Sequence, residues 1–168
     1  MILATKYNCP CCSGKQFSDC CQPFLTGNLI PTTPEALIRS RFVAYTMGNI
    51  SYIQQTMRGR AAINFNASSA EHWAKRVIWI KLDVVHAKLE NHNKAYVEFI
   101  ATMVDHNYLS ILHEKSEFSY EDEQWYYVDG VQFPTHTTTI IARNSACPCG
   151  SLRKFKNCHG NNQLWNVY

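Results

Sequence analysis

Two copies of one cysteine spacing, one near each end, constrain this chain more than any other feature. Cys9-Pro10-Cys11 is followed after eight residues by Cys20-Cys21, and Cys147-Pro148-Cys149 is followed after eight residues by Cys158-His159. The windows 9–21 and 147–159 also share Ser13/Ser151 and Phe17/Phe155, with Lys15/Arg153 and Asp19/Asn157 as near matches. This is an internal repeat. All eight cysteines of the chain lie in these two ends.

The residue types explain the spacing. A structural zinc ion takes four ligands in a tetrahedron, sulfur at ~2.3 Å and imidazole nitrogen at ~2.0–2.1 Å, and four cysteines or three cysteines with a histidine both serve. The spacing predicts two structural Zn2+ sites, one of Cys9, Cys11, Cys20 and Cys21, the other of Cys147, Cys149, Cys158 and His159. Pro10 and Pro148 help fix the turn between paired ligands, and Phe17 and Phe155 supply each knuckle with one large apolar lid. A disulfide framework is disfavoured, because Met1–Ala4 is far too short for a secretory segment and cytosolic thiols stay reduced. His159 speaks against an iron–sulfur cluster at the second site.

CPCCSGKQFSDCC and CPCGSLRKFKNCHG resemble the SEC-C motif, the short zinc knuckle also found at the C-terminus of the SecA translocation ATPase, where it contacts a chaperone and the ribosome. Together with PTTPEALIRSRFVAYTMGNISYI after the first knuckle and QWYYVDG before the second, they resemble the YchJ family of bacterial proteins over nearly the whole chain. One departure stands out. The motif has glycine after its second cysteine, as Gly150 here, but the first copy has Cys12, a fifth thiol that reads as a spare packed cysteine, an alternative ligand or a redox handle.

Between the knuckles the pattern changes from helical to extended. Thr33-Pro34-Glu35 starts a helix that Gly48 ends, with Leu37, Ile38, Phe42 and Tyr45 near one face. Asn49-Ile50-Ser51 restarts a short helix to about Met57, and Ser68 or Ser69 caps a third ending near Trp73–Arg76. Strands are expected over Val77–His86, around Ala95–Met103, over Tyr108–Tyr120 and over Gln124–Val128, with turns at residues 91–93, 105–107 and 121–123. Helices followed by a meander give an α+β fold, helices packed against a curved antiparallel sheet. The family resemblance implies the same fold more sharply, a cone similar to nuclear transport factor 2 that often encloses a pocket. The expected organisation is a knuckle at 1–27, a central domain at 28–133, an extended connector at 134–145 and a second knuckle with its tail at 146–168.

No phosphate loop, His-Glu-x-x-His or nucleophile elbow occurs. His86, Asp83, Asp129, Tyr126 and Tyr127 are the loose candidates for a pocket, and one of Arg39 and Arg41 is expected to turn inward, with an Arg39–Asp129 pair as the structural guess. No stretch approaches the ~20 apolar residues of a membrane helix, and the chain reads as cytoplasmic. The formal charge is +3. Seven thiolates and two zinc ions bring it to about zero, so general attraction to nucleic acid is not supported. The tail is different: Arg143, Arg153, Lys154 and Lys156 occur after residue 142 without an acid. With Trp165 they mark a docking surface for an acidic protein or for RNA. Three readings stay open: an adapter that docks a protein or ribonucleoprotein through its knuckles, an enzyme or small-molecule carrier using the central pocket, and a zinc store or redox sensor.

Overall fold

The computed structural model describes residues 8–135 and 139–161. Five helices precede the sheet: α1 (Gln22–Leu25), α2 (Pro34–Met47), α3 (Ile50–Gln55), α4 (Gly59–Ile63) and α5 (Ala67–Arg76). The strands are β1 (Ile78–Asn91), β2 (Lys94–Asp105), β3 (Tyr108–Glu121), β4 (Gln124–Gln132) and β5 (Thr139–Ile140).

Local chemistry accounts for the long helix. Thr33 Oγ1 accepts from the Ala36 N–H at 3.1 Å, Pro34 takes the first turn, and Gly48 closes α2 at φ 68°. Leu37, Ile38, Phe42, Val43 and Ala44 form its buried face. The sequence does not predict the single-turn α1, and two further helices differ from expectation. Asn66, not Ser68 or Ser69, caps α5 through its Oδ1 on the Ser69 N–H at 2.8 Å, and α4 has no counterpart in the expected pattern. It is one turn long and is held by contacts with β4, not by an amphipathic stripe.

The sheet is an antiparallel meander in the order β1-β2-β3-β4. His106 and Asn107, and again Asp122 and Glu123, take positive φ, the geometry of tight two-residue hairpins whose twist matches the strands. Ala95, Val97, Phe99, Ala101 and Met103 alternate into the core under α2. Register shifts at Trp79/Lys81, Val84/His86 and Leu89/Asn91 bend β1, and another at Glu117/Phe118 bends the β3–β4 pair. The sheet therefore curves over the helices.

Both knuckles pack on this body. Cys9, Cys11, Phe17 and Cys21 belong to the main core with Leu37, Ile38 and Phe42. Cys147, Phe155 and Cys158 pack with Ile80, at the Trp79/Lys81 register shift of β1, and with Val104, which is out of step with the inward row of β2 and so on the outer face of the sheet. In the expected connector, 134–145, the described residues after 138 are tied to the sheet: β5 pairs with Tyr108 and Leu109 of β3, where β4 does not reach, and the Ile141 N–H donates to Asn107 O at 2.8 Å.

Candidate metal centres

The two copies of the repeat fold alike down to single hydrogen bonds. Cys9 N–H donates to Lys15 O at 2.7 Å and Cys147 N–H to Arg153 O at 2.8 Å. Each loop then turns through a left-handed residue, Cys12 or Gly150, whose N–H returns to the first cysteine's carbonyl at 3.1 and 3.2 Å. A single 3-10 turn, Phe17–Asp19 or Phe155–Asn157, leads into the last two candidate donors, and its phenylalanine is buried.

In each copy four donor atoms converge. Cys9, Cys11, Cys20 and Cys21 form one group and Cys147, Cys149, Cys158 and His159 the other, all donor atoms within 4.8 Å of one another. Two thiolates held tetrahedrally at ~2.3 Å sit about 3.8 Å apart, and a sulfur and an imidazole nitrogen about 3.5 Å apart. The Sγ atoms of Cys11 and Cys20 are 3.6 Å apart, those of Cys20 and Cys21 3.8 Å, and those of Cys149 and Cys158 3.7 Å. His159 Nδ1 lies 3.3 Å from Cys147 Sγ and 3.4 Å from Cys158 Sγ. The donors fit a four-coordinate metal ion, and the sulfurs are far beyond the ~2.05 Å of a disulfide.

The electrostatics agree. Hydrogen bonds from Cys21 and Cys9 pull the Cys11 thiol far below its ordinary pKa, while the Cys9 thiol is pushed up to about 12, chiefly through its bond with Cys11. Thiolates packed this closely repel one another. Four can coexist only around a cation. Ser13 and Ser151, visible in sequence only as an identity of the repeat, have a physical role: each hydroxyl sits on the penultimate ligand's sulfur, 3.3 Å from Cys20 Sγ and 3.4 Å from Cys158 Sγ. Each also accepts the N–H two residues on, Lys15 or Arg153. Cys12 stands outside its group. It is exposed, and desolvation of its sulfur raises the thiol above its ordinary pKa, the opposite of an activated thiolate.

The two sites face a common space. A crevice of about 190 Å³ is bordered by Cys9, Pro10 and Cys12 of the first knuckle, Cys149 and His159 of the second, and Trp79 of β1.

A family model described as YchJ, middle NTF2-like domain, matches residues 33–130, more than half the chain. The chain belongs to the YchJ family. The SEC-C motif matches residues 143–161 of this YchJ-family chain, the second knuckle. A UPF0225 protein of Serratia proteamaculans is 38% identical over 156 residues, covering 90% of this chain and 97% of the relative. A UPF0225 protein of Geobacter sulfurreducens is 36% identical over 156 residues, with the same coverage. A SEC-C motif containing protein from Rhodopseudomonas palustris, RPA3114, superposes with a TM-score of 0.70 at 31% identity over 76% of this chain and 100% of that one. Another, from Psychrobacter arcticus, gives 0.66 at 28% identity over 95% and 99%.

Other expected residues are redistributed. Arg39 does not meet Asp129. It donates from Nε to Glu35 at 2.9 Å and from Nη1 to the Cys11 carbonyl at 2.9 Å, tying α2 to the first knuckle. Asp129 pairs with Arg60 instead. The inward arginine is Arg41, 4% exposed. Of the loose pocket candidates, Tyr127 and Asp129 line the central cavity. Tyr126 lies on the opposite face under Arg58, Asp83 pairs with Lys81, and His86 is exposed on the β1–β2 hairpin. Strand alternation separates them. Arg153 and Lys154 are exposed and Lys156 is half-buried, while Arg153 also reaches Cys158 Sγ at 3.5 Å. Trp165 lies outside the described residues.

Proposed function

We propose that this YchJ-family chain is a zinc-binding adapter without catalytic chemistry in its metal sites, docking a protein or ribonucleoprotein partner through the surface its knuckles share. The observation that carries this reading is the common crevice: ligand loops from opposite ends of the chain border one space. Zinc is the ion best suited to a closed set of three or four sulfurs with one imidazole, and four protein ligands leave no open position for a reacting water. Beside the second site Leu152 is 93% exposed and is followed by exposed Arg153 and Lys154. An exposed apolar side chain within an acid-free basic loop suits an acidic protein or ribonucleoprotein surface. The reduced thiols belong in the cytosol, and among the described residues no helix is long and apolar enough to cross a membrane.

Affinity purification under reducing conditions, comparing the unmodified chain with a Leu152→Asp/Lys154→Glu variant that retains its metal, tests this reading. Partners recovered by the first should be lost by the second, with RNase digestion separating protein from ribonucleoprotein partners. An unchanged set of partners would refute docking at this surface.

A further inference from the structure

The helices and the concave face of the sheet form a pocket, open to solvent on one side, of about 540 Å³, large enough for a small organic molecule. Arg60, Asn64, Asn66, Ser69 and Gln132 are exposed where they line it, and its buried charged side chains are Arg41 and Glu114. Arg41 of α2 makes two hydrogen bonds, both from Nη1, to Ile53 O at 2.9 Å and Thr56 Oγ1 at 2.7 Å. Among the described residues no carboxylate forms an ion pair with it, and its Nε and Nη2 have no acceptor. Facing it from β3 is Glu114, 7% exposed, whose Oε1 accepts from Ser116 Oγ at 2.7 Å and from Tyr127 OH at 3.0 Å, while Oε2 has no partner among the described residues. Tyr127 joins the two, its ring 4.7 Å from the Arg41 guanidinium carbon and its hydroxyl on Glu114. Gly130 of β4 is what lets Glu114 lie there, because a Cβ at that position would collide with its carboxylate.

Among the described residues, the fully enclosed polar side-chain atoms without a partner are Gln16 Oε1 and Trp79 Nε1. The unpaired Nε and Nη2 of Arg41 and Oε2 of Glu114 are thus not sealed, and the space they reach is the cavity both residues line. The adjoining wall is aromatic: Tyr45 stacks on Trp79 at 5.6 Å, and Trp73 meets Trp79 edge-on at 4.9 Å. The Nε–Nη2 edge of a guanidinium matches a carboxylate with two parallel hydrogen bonds. A free carboxylate oxygen beside it asks for a donor, and the aromatic wall asks for a flat apolar body.

We propose that the central cavity binds a small aromatic carboxylic acid carrying a hydroxyl or amino group, its carboxylate on Arg41 Nε and Nη2 and its donor on Glu114 Oε2. This site is separate from the knuckle surface and does not depend on the docking reading.

Titration of the full-length, metal-loaded chain with 4-hydroxybenzoate and with L-phenylalanine, read by intrinsic tryptophan fluorescence and by melting temperature, tests it. At least one acid should give a saturable response and a raised melting temperature, and 4-hydroxybenzyl alcohol, which lacks the carboxylate, should bind at least about tenfold more weakly. Arg41→Met should lose binding. Ala70→Trp, which fills the cavity from α5 and keeps every polar group, should lose it as well. No saturable response to either acid, equal binding of the alcohol, or undiminished binding by Ala70→Trp would overturn the proposal.

Discussion

Gly14 and Leu152 occupy the same position in the two copies of the cysteine loop, and both turn the backbone left-handed, at φ 78° and 60°. Two residues earlier Cys12 and Gly150 do the same, at 61° and 80°. Each loop needs two left-handed residues, and each copy has a glycine at only one of them. A left-handed residue with a Cβ costs about 1–2 kcal/mol, so each knuckle carries one strained position, and the second places an exposed leucine there.

That strain gives a first expectation. Leu152→Gly should relieve about 1 kcal/mol and make the second site retain metal roughly fivefold better against a competing chelator. The same variant should weaken partner capture, since it removes the exposed side chain. Poorer metal retention would show that Leu152 supports the loop.

The serine hydroxyls give a second. Ser13→Ala and Ser151→Ala each remove an O–H from a ligand sulfur, and loss of such outer contacts typically lowers metal affinity about 10–100-fold. Chelator competition on each variant should show the loss at its own site only. Unaltered release kinetics and affinity would make these contacts incidental.

Metal removal should be asymmetric. The first knuckle places Cys11, Cys21 and Phe17 in the main core beside Leu37 and Phe42, and Arg39 ties α2 to the Cys11 carbonyl. The second packs on the outer face around Ile80 and Val104. Cys11→Ser should lower the melting temperature of the whole body, while Cys149→Ser should leave the main thermal transition nearly in place. Equal losses would mean that the second knuckle is as integral as the first.

Acid should release the α5–β2 contact. Arg76 holds Asp105 through Nε at 3.0 Å and Nη2 at 2.8 Å, and this hydrogen bonding keeps the Asp105 carboxyl below its ordinary pKa. His106 Nδ1 lies 2.7 Å from the same carboxylate. A folded pKa below the unfolded one contributes stability above the unfolded value, about 3.9, and loses it as pH falls through the folded value. Asp105→Asn should remove that part of the acid dependence, at most about 1 kcal/mol for so exposed a pair, measured by denaturant melts at pH 7 and at pH 3.

The two donor groups were legible in the sequence because spacing alone carries them: four donors per window, twice. The α2 caps and the alternation in β2 were equally legible, being local. What was not legible depends on distant partners. Arg39 and Arg41 are two residues apart, and only the placement of the first knuckle decides that Arg39 serves Cys11 while Arg41 is buried over Tyr127. α4 forms against β4, and β5 forms because β4 stops short on β3; neither has a pattern of its own. The crevice between the knuckles arises from where the sheet brings the chain's ends, which no window of sequence contains.

The central claim is two separate structural zinc sites, and metal content tests it most directly. Elemental analysis of untagged protein purified under reducing conditions should find two zinc atoms per chain, falling to one in a Cys147→Ala/Cys149→Ala variant. A folded protein with no bound zinc, or a variant that keeps both atoms, would contradict it.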